Sequence, residues 1–324
     1  MKTFTHFNTS NVEEAVSLLR RYGGKAALVA GGTDLLGKMK DRLLPDYPEA
    51  LINLKTIAGM DLIQENSNGL TLGPLAILED IAHADVVKEK YTALAEAARR
   101  TASPHLREMG TIGGNICQDI RCWYYRSPEN RFPCLRKGGG RCYALKGDTR
   151  YHSIFGGSVE EGCIAVHPSD TAPALIALDA SIQTSRRTVS AEDFFQVEVS
   201  RTTVLEPDEI VTEIRIPAPV DGTKSAFFKF ALRKSIDFPI VNCAAQITSR
   251  GNKVDNARIC LNGVYVKPMR ASSAEEAIMG KPINEANARA AGEAAVASAK
   301  PLHDNGYMVE VAKTLVKKAI LACG

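Results

Sequence analysis

The chain has 324 residues, a formal net charge of +3, 45% hydrophobic and 24% charged residues. That length favours two or three lobes over one core. So small a net charge argues against nucleic acid or an anionic membrane as partner, and no apolar run approaches the roughly 20 residues of a membrane span.

The opening MKTFTHFNTSNVEEA has no apolar signal core and is expected to be a strand running into a helix, which points to a cytoplasmic chain unless a partner carries it. Ser10-Asn11-Val12-Glu13 has the form of a capping box. Ala15, Val16, Leu18 and Leu19 share one helical face, and Gly23 or Gly24 closes the helix. A strand at 26–30, the turn Gly31-Gly32-Thr33-Asp34 and a strand at 51–54 complete a first lobe, residues 1–57. The second lobe, 58–217, is expected to hold strands at 62–64 and 70–73 and helices at 77–82 and 91–101. From 110 to 162 the chain turns rich in Gly, Arg, Tyr and Cys with little periodicity, and loops that long usually carry function or disorder. Beyond it come a strand at 163–166, a helix at 171–178 and strands at 182–184 and 209–216. The third lobe, 218–324, is predicted to be an antiparallel meander (227–232, 241–248, 257–264) followed by helices at 273–279, 284–299 and 307–322.

Two glycine turns stand out. Gly31-Gly32 lets the backbone turn sharply and approach a ligand. Thr33 and Asp34 then offer hydroxyl, carboxylate and backbone N–H groups at a helix start, which suits a pyrophosphate and its sugar hydroxyls. An ordinary strand-to-helix turn would look the same. Thr111-Ile112-Gly113-Gly114-Asn115 is a second such turn, and the pair could grip one dinucleotide from two sides. Neither is G-x-G-x-x-G, so a nicotinamide-type dinucleotide domain is disfavoured.

LVAGGTDLL, TLGPLAILEDI, ASPHLREMGTIGGN, HPSDTAPALIALDA and PDEIVTEIRIP, in that order over nearly the whole chain, resemble the FAD-binding medium subunit of the xanthine dehydrogenase and carbon monoxide dehydrogenase (molybdenum hydroxylase) family. The resemblance implies an α+β fold. It would have a vanillyl-alcohol-oxidase/PCMH-like FAD-binding domain of two α/β lobes, then a CO-dehydrogenase-flavoprotein-like C-terminal lobe with a three-stranded antiparallel sheet and a helix bundle. It also implies that Leu28, Val29, Ala30, Gly31, Gly32, Thr33, Asp34 and Leu35 wrap the FAD pyrophosphate. Thr111, Ile112, Gly113, Gly114 and Asn115 would wrap it from the other side. Thr101 would lie near the flavin, Asp170 would bond ribityl or nearby polar groups, and Lys229 would stand near the isoalloxazine ring. Ile210 or Val211 would pack on the flavin, with Val211 preferred. Asp170 equally suits the N-cap of the helix that follows, and Lys229 equally suits a solvated strand position.

Five of the eight cysteines, Cys117, Cys122, Cys134, Cys142 and Cys163, crowd the irregular segment. Cys243, Cys260 and Cys323 sit in apolar or terminal surroundings and are expected to be small buried hydrophobes. Four thiolates suffice for a 4Fe-4S cluster or for zinc, and paired C-x-x-C knuckles are missing. The segment resembles the cluster-bearing insertion of 4-hydroxybenzoyl-CoA reductase and of the periplasmic aldehyde oxidoreductase. That resemblance implies Cys122, Cys134, Cys142 and Cys163 as cluster ligands, leaving Cys117 out. Zinc ranks second and free thiols third. Arg121, Arg126, Arg131, Arg136, Lys137 and Arg141 surround these cysteines. They could lower thiol pKa values, form a solvated basic loop, or face an acidic redox partner such as ferredoxin.

The family resemblance implies an oxidoreductase subunit that transfers electrons between FAD, a 4Fe-4S cluster and the 2Fe-2S clusters of a small subunit. A large subunit would hold the molybdenum cofactor and the substrate. Ferredoxin, NAD, quinone and oxygen all remain open as external partner. No Ser/His/Asp, Cys/His or paired-carboxylate arrangement demands substrate chemistry here. His105 and His167 suit structural roles. Tyr124 and Tyr125 suit either loop packing or a shield for a cofactor. A self-contained flavin oxidase or reductase and a zinc-stabilised structural subunit are the alternatives.

Overall fold

The computed structural model describes residues 1–157, 162–199 and 201–324. In the first lobe, β1 (Thr5–Asn8), β2 (Ala26–Val29) and β3 (Ala50–Asn53) form a parallel sheet in the order β1-β3-β2. Helix α1 (Val12–Tyr22) connects β1 to β2 and buries Ala15 and Leu19 against Ile52 and Leu54. Its cap lies one residue beyond the expected box. Asn11 Oδ1 accepts from Glu14 N at 2.8 Å, and the Glu14 carboxylate accepts from Ser10 N at 2.8 Å. Asn caps as well as Ser, so Glu14 rather than Glu13 reaches back. Gly23 ends the helix at φ 53, the left-handed conformation that glycine adopts without strain. Beyond β2, a short helix α2 (Leu35–Lys40) follows the glycine turn.

The second lobe is built on an antiparallel sheet of order β4-β5-β8-β6-β7, comprising β4 (Ile63–Asn66), β5 (Gly69–Leu72), β6 (Ser181–Thr184), β7 (Thr188–Ser190) and β8 (Val211–Pro217). Helices α3 (Leu78–His83), α4 (Asp85–Lys90), α5 (Thr92–Arg99), α6 (Pro104–Arg107), α7 (Ile112–Ile116), α8 (Thr171–Ala177) and α9 (Ala191–Phe194) complete it. All seven residues of α8 are buried, because it packs on α5 and α7 on one side and on the third lobe's sheet on the other. The segment 163–166, expected as a strand, joins no ladder. Its neighbourhood spends backbone groups on loops instead, Ser153 N donating to Ile164 O at 2.9 Å and His167 N to Tyr265 O at 3.0 Å.

The third lobe contains β9 (Thr223–Phe230), β10 (Val241–Arg250) and β11 (Lys253–Asn262) as the expected meander. A fourth strand, β12 (Met269–Arg270), pairs with β11, so the sheet has four antiparallel strands rather than three. Two residues are too few for alternation to announce a strand. Helices α10 (Ser272–Ile278), α11 (Glu285–Ala295) and α12 (Tyr307–Leu321) complete the lobe. The alternation of a strand explains the apolar run VNCAAQI. Cys243 and Ala245 enter the third lobe's core, while Ala244 points into the second lobe's core with Phe227 and Cys260. Cys243, Cys260 and Cys323 are all buried.

After α7, the described residues of the irregular segment form only short 3-10 turns (Pro128–Asn130, Leu135–Lys137, Ala144–Lys146). It docks on the third lobe. Asn305 Nδ2 donates to His152 O at 2.9 Å and to Ser153 O at 3.2 Å, and Ile154 N donates to Val264 O at 3.0 Å. Thr149 Oγ1 bonds Asp304 at 3.3 Å, and Tyr307 OH donates to Arg150 O at 2.8 Å. Among the described residues no helix is long and apolar enough to cross a membrane.

Candidate cofactor sites

The first glycine turn leaves β2 and passes through Gly32 at φ 73, where other residues would be strained. A Cβ on Gly31 would lie 1.9 Å from Met109 O, so only glycine lets this turn rest on the backbone that leads into the second one. There Thr111 Oγ1 accepts from Gly114 N at 3.1 Å and caps α7. Gly114 faces Ala30, whose Cβ would stand 4.0 Å from an added Cβ. The two turns thus meet along one cleft of about 410 Å³.

Leu28, Ala30, Gly31, Gly32, Thr33, Asp34, Leu35, Thr101, Thr111, Gly114 and Asn115 line this cleft. Ile112 and Gly113 are buried; a Cβ on Gly113 would meet Pro74 O at 2.7 Å, so this glycine serves close packing. They and Val29 are not among its lining residues. Val211 lies in the second lobe's core and Ile210 in the first lobe's. Pro207, a few residues earlier, is what that connection contributes to the cleft. Lys38, Cys117, Gln118, Arg121 and Phe238 also line it and were not anticipated. Cys117 is open to the cleft yet deep within it, and that surround pushes its pKa up to about 12.

Asp34 proves to be a junction. Its Oδ1 accepts from Arg121 Nη2 at 2.8 Å and Arg126 Nη1 at 2.7 Å, and its Oδ2 accepts from Asp119 N at 3.0 Å. Arg126 also donates to Ile120 O at 2.8 Å and Asp119 O at 2.9 Å. Asp119 in turn receives Lys38 Nζ at 3.3 Å and the Tyr125 hydroxyl. Burial would raise the Asp34 pKa, but Arg126, Lys38 and Arg121 together hold it below the usual carboxylate range. Burial and the neighbouring Arg126 push the Arg121 guanidinium down to about 10. That guanidinium lies 4.2 Å from the Phe238 ring centroid, and its Nε has no hydrogen-bond partner among the described residues. The carboxylate expected to meet a ligand is therefore committed to the cysteine-rich segment, and Arg121 offers an unclaimed donor beside the cleft.

Asp170 and Lys229 find each other. Lys229 Nζ stands 2.7 Å from Asp170 Oδ2, with side chains 6% and 3% exposed. It also donates to Arg100 O at 2.9 Å, one residue before Thr101. Asn242 Nδ2 donates to Asp170 Oδ1 at 2.8 Å. Burial pushes the Asp170 carboxyl up, against the pull of Lys229. Lys229 is thus not a solvated strand residue, and Asp170 makes no cap bond. Ser169 supplies it, accepting from Ala172 N at 3.0 Å, while Asn115 Oδ1 receives both the Ser169 hydroxyl and that of Thr171. Lys229→Met should lower stability by about 3–5 kcal/mol, because it strands a buried carboxylate. Urea unfolding checks this, and the double variant Lys229→Met/Asp170→Asn should recover most of the loss. Lys229 opens on a recess of about 370 Å³ shared with Arg99, Arg100, Arg233 and Lys234. Beside it Ala102 and Ile236 both hold left-handed φ values, 49 and 69, joined by Ile236 N donating to Ala102 O at 2.9 Å. For a β-branched residue this is strained backbone of the kind that gathers at functional sites.

Cys122, Cys134, Cys142 and Cys163 line one small cavity of about 20 Å³, walled also by Tyr124, Tyr125, Tyr143, Arg136 and His152. The first, second and fourth are each 8% exposed, and Cys142 is half-buried. Arg136 Nε donates to Cys163 Sγ at 3.1 Å, and His152 Nε2 lies 3.2 Å from Cys122 Sγ. The expected ring of cations is smaller than the sequence suggests. Arg121 and Arg126 turn to Asp34, while Arg131 and Arg141 lie over the rings of Phe132 and Tyr143. With burial dominant, the Cys122 thiol is pushed up to about 12 and that of Cys134 above its ordinary value. Among the described residues no three His, Cys, Asp or Glu side chains are placed to hold a single metal ion. His167 is buried, its ring 4.8 Å from that of Phe195, and burial lowers its pKa to about 3, which keeps it neutral and structural.

Comparison with known proteins identifies the architecture. Residues 2–219 match the family described as the FAD binding domain in molybdopterin dehydrogenase, and residues 226–323 match the CO dehydrogenase flavoprotein C-terminal domain. The chain is 33% identical to the aldehyde oxidoreductase FAD-binding subunit PaoB of Escherichia coli, covering 97% of this chain and 96% of that protein. It is 30% identical to the carbon monoxide dehydrogenase medium chain of Hydrogenophaga pseudoflava, over 98% and 96% of the two chains. A solved structure of the latter organism's carbon monoxide dehydrogenase, lacking the Mo-pyranopterin moiety, superposes with TM-score 0.78 at 29% identity, covering 99% of this chain and 97% of that one. The chain therefore belongs to the FAD-binding subunits of the molybdenum hydroxylase family, as the oxidoreductase's flavin subunit.

Proposed function

We propose that this subunit carries electrons between FAD and a 4Fe-4S cluster held by Cys122, Cys134, Cys142 and Cys163. It would act within a heterotrimer whose large subunit holds the molybdenum cofactor and whose small subunit holds 2Fe-2S clusters. The observation that carries the reading is the shared cavity of the four cysteines, with Cys117 apart in the flavin cleft. Tetrahedral zinc would draw its thiolates onto one point. A four-iron cluster binds each thiolate through a different iron, so its ligands stand further apart.

For FAD, the glycine turns and the free Arg121 Nε fit an anionic diphosphate approached by backbone. Bound there, the flavin would accept electrons in pairs and release them singly, as one-electron clusters require. Gly31, Gly32, Thr111 and Gly114 would cradle the diphosphate. Thr101 and the adjoining recess mark the end nearest Lys229. The basic recess suits an anionic external partner, a ferredoxin or NAD. The resemblance to PaoB favours an aldehyde-oxidising complex over a hydroxybenzoyl-CoA reductase, and the proposed setting is the cytoplasm unless a partner carries the chain elsewhere.

The test is flavin, iron, sulfide and zinc analysis on the anaerobically purified complex. About one FAD, four irons and four sulfides per chain are expected. Serine at Cys122, Cys134, Cys142 or Cys163 should lower iron, and serine at Cys117 should not. One zinc and no iron would overturn the cluster.

A further inference from the structure

Lys137 is 6% exposed, and its ammonium has no hydrogen-bond partner among the described residues. It lies 5.9 Å from the centroid of the Tyr125 ring, a wall of the four-cysteine cavity. A buried cation without a counter-charge is costly. Burial pushes the Lys137 pKa below its ordinary value, and the groups that oppose this and favour the charged form are the sulfurs of Cys134 and Cys122. Arg136 Nε donates to Cys163 Sγ at 3.1 Å, and His152 Nε2 lies 3.2 Å from Cys122 Sγ, where its Nε2–H tautomer would donate to a thiolate. Arg136 in the cavity wall and Lys137 behind the Tyr125 ring thus place two cations beside the four sulfurs, which suits an anionic occupant.

Resting on the cluster reading above, we infer that Lys137, Arg136 and His152 are positioning residues that raise the reduction potential of the cluster. Four thiolates on a four-iron core give a net charge of about −2 when oxidised and about −3 after one electron is added. Fixed cations and donors to sulfur stabilise the more negative form. The one-electron step then becomes easier without any change of ligand. Lys137 supplies charge alone, Arg136 charge and a bond to Cys163, and His152 a bond alone.

The experiment is a dithionite titration of the anaerobic complex followed by electron paramagnetic resonance, with iron and sulfide measured on each sample. Lys137→Met and Arg136→Met should each keep the iron and shift the reduced-to-oxidised ratio at a fixed potential about tenfold toward oxidised, a fall of about 59 mV. His152→Phe should shift it less, and Arg136→Lys should restore most of the Arg136→Met shift. Should Arg136→Met lose iron, Lys137→Met decides, since it touches no thiol by hydrogen bond. Iron-replete Lys137→Met with an unmoved potential overturns the inference while leaving the cluster reading intact. Wild-type complex without four irons overturns both.

Discussion

Gly31→Ala is expected to strip the flavin from a chain that still folds. The added Cβ would sit 1.9 Å from a backbone oxygen, Met109 O, and 2.8 Å from its carbon, so no side-chain rotation can relieve it. The two glycine turns would have to separate, and that contact is what sets them along one cleft. Overpacking of this kind costs about 1–3 kcal/mol. Taken from cofactor binding, this is a loss of about tenfold to a hundredfold in affinity. Flavin absorbance per protein after desalting, and fluorescence titration of the stripped chain, measure it. Gly37→Ala is the control, because a Cβ there meets nothing within 4 Å and its φ is not left-handed. Full flavin in Gly31→Ala would show that the two turns do not hold the cofactor between them.

The second large effect belongs to Asp34. Its side chain is 17% exposed, and those of Arg121 and Arg126 are 27% and 15% exposed. Asp34→Ala leaves two guanidinium groups facing each other in a half-buried pocket, and breaking such a pair costs about 3–5 kcal/mol. The loss should appear in urea unfolding. A pH series adds a signature. Asp34 and Asp119 both hold pKa values below the ordinary one. Their stabilisation is therefore complete above the unfolded carboxylate value of about 3.9 and is lost as pH falls through the lower folded values. Wild-type stability should decline below about pH 4, and Asp34→Asn should show a shallower decline from a lower starting level. Equal slopes in the two proteins would remove Asp34 from the account.

What could be read from the sequence follows how local each signal is. The glycine turns, helix α1 and the meander β9-β10-β11 announce themselves through turn chemistry and periodicity within a few residues. The cap on Asn11 was missed by one position because Ser10 and Asn11 are both competent caps and Glu13 and Glu14 are adjacent. Strand β12 is too short to alternate, and the apolar residues at 163–166 look like a strand while serving as a wall of the cysteine cavity. The role of Asp34 depends on Arg121 and Arg126, about ninety residues later, and nothing local marks that pairing. The same holds for Asp170 with Lys229. Both carboxylates look like ligand-facing groups in sequence, and both spend their charge on internal partners. The burial of Lys137 is equally hidden, since a lysine among arginines suggests a wet loop.

The docking of the cysteine-rich segment bears on how such a segment could be inherited or transplanted. It is clamped at one end by Asp34 and at the other by Asp304, Asn305 and Tyr307. A graft of this segment into another chain would need these four side chains to seat it. The portable unit is the segment plus four distant side chains, Asp34, Asp304, Asn305 and Tyr307.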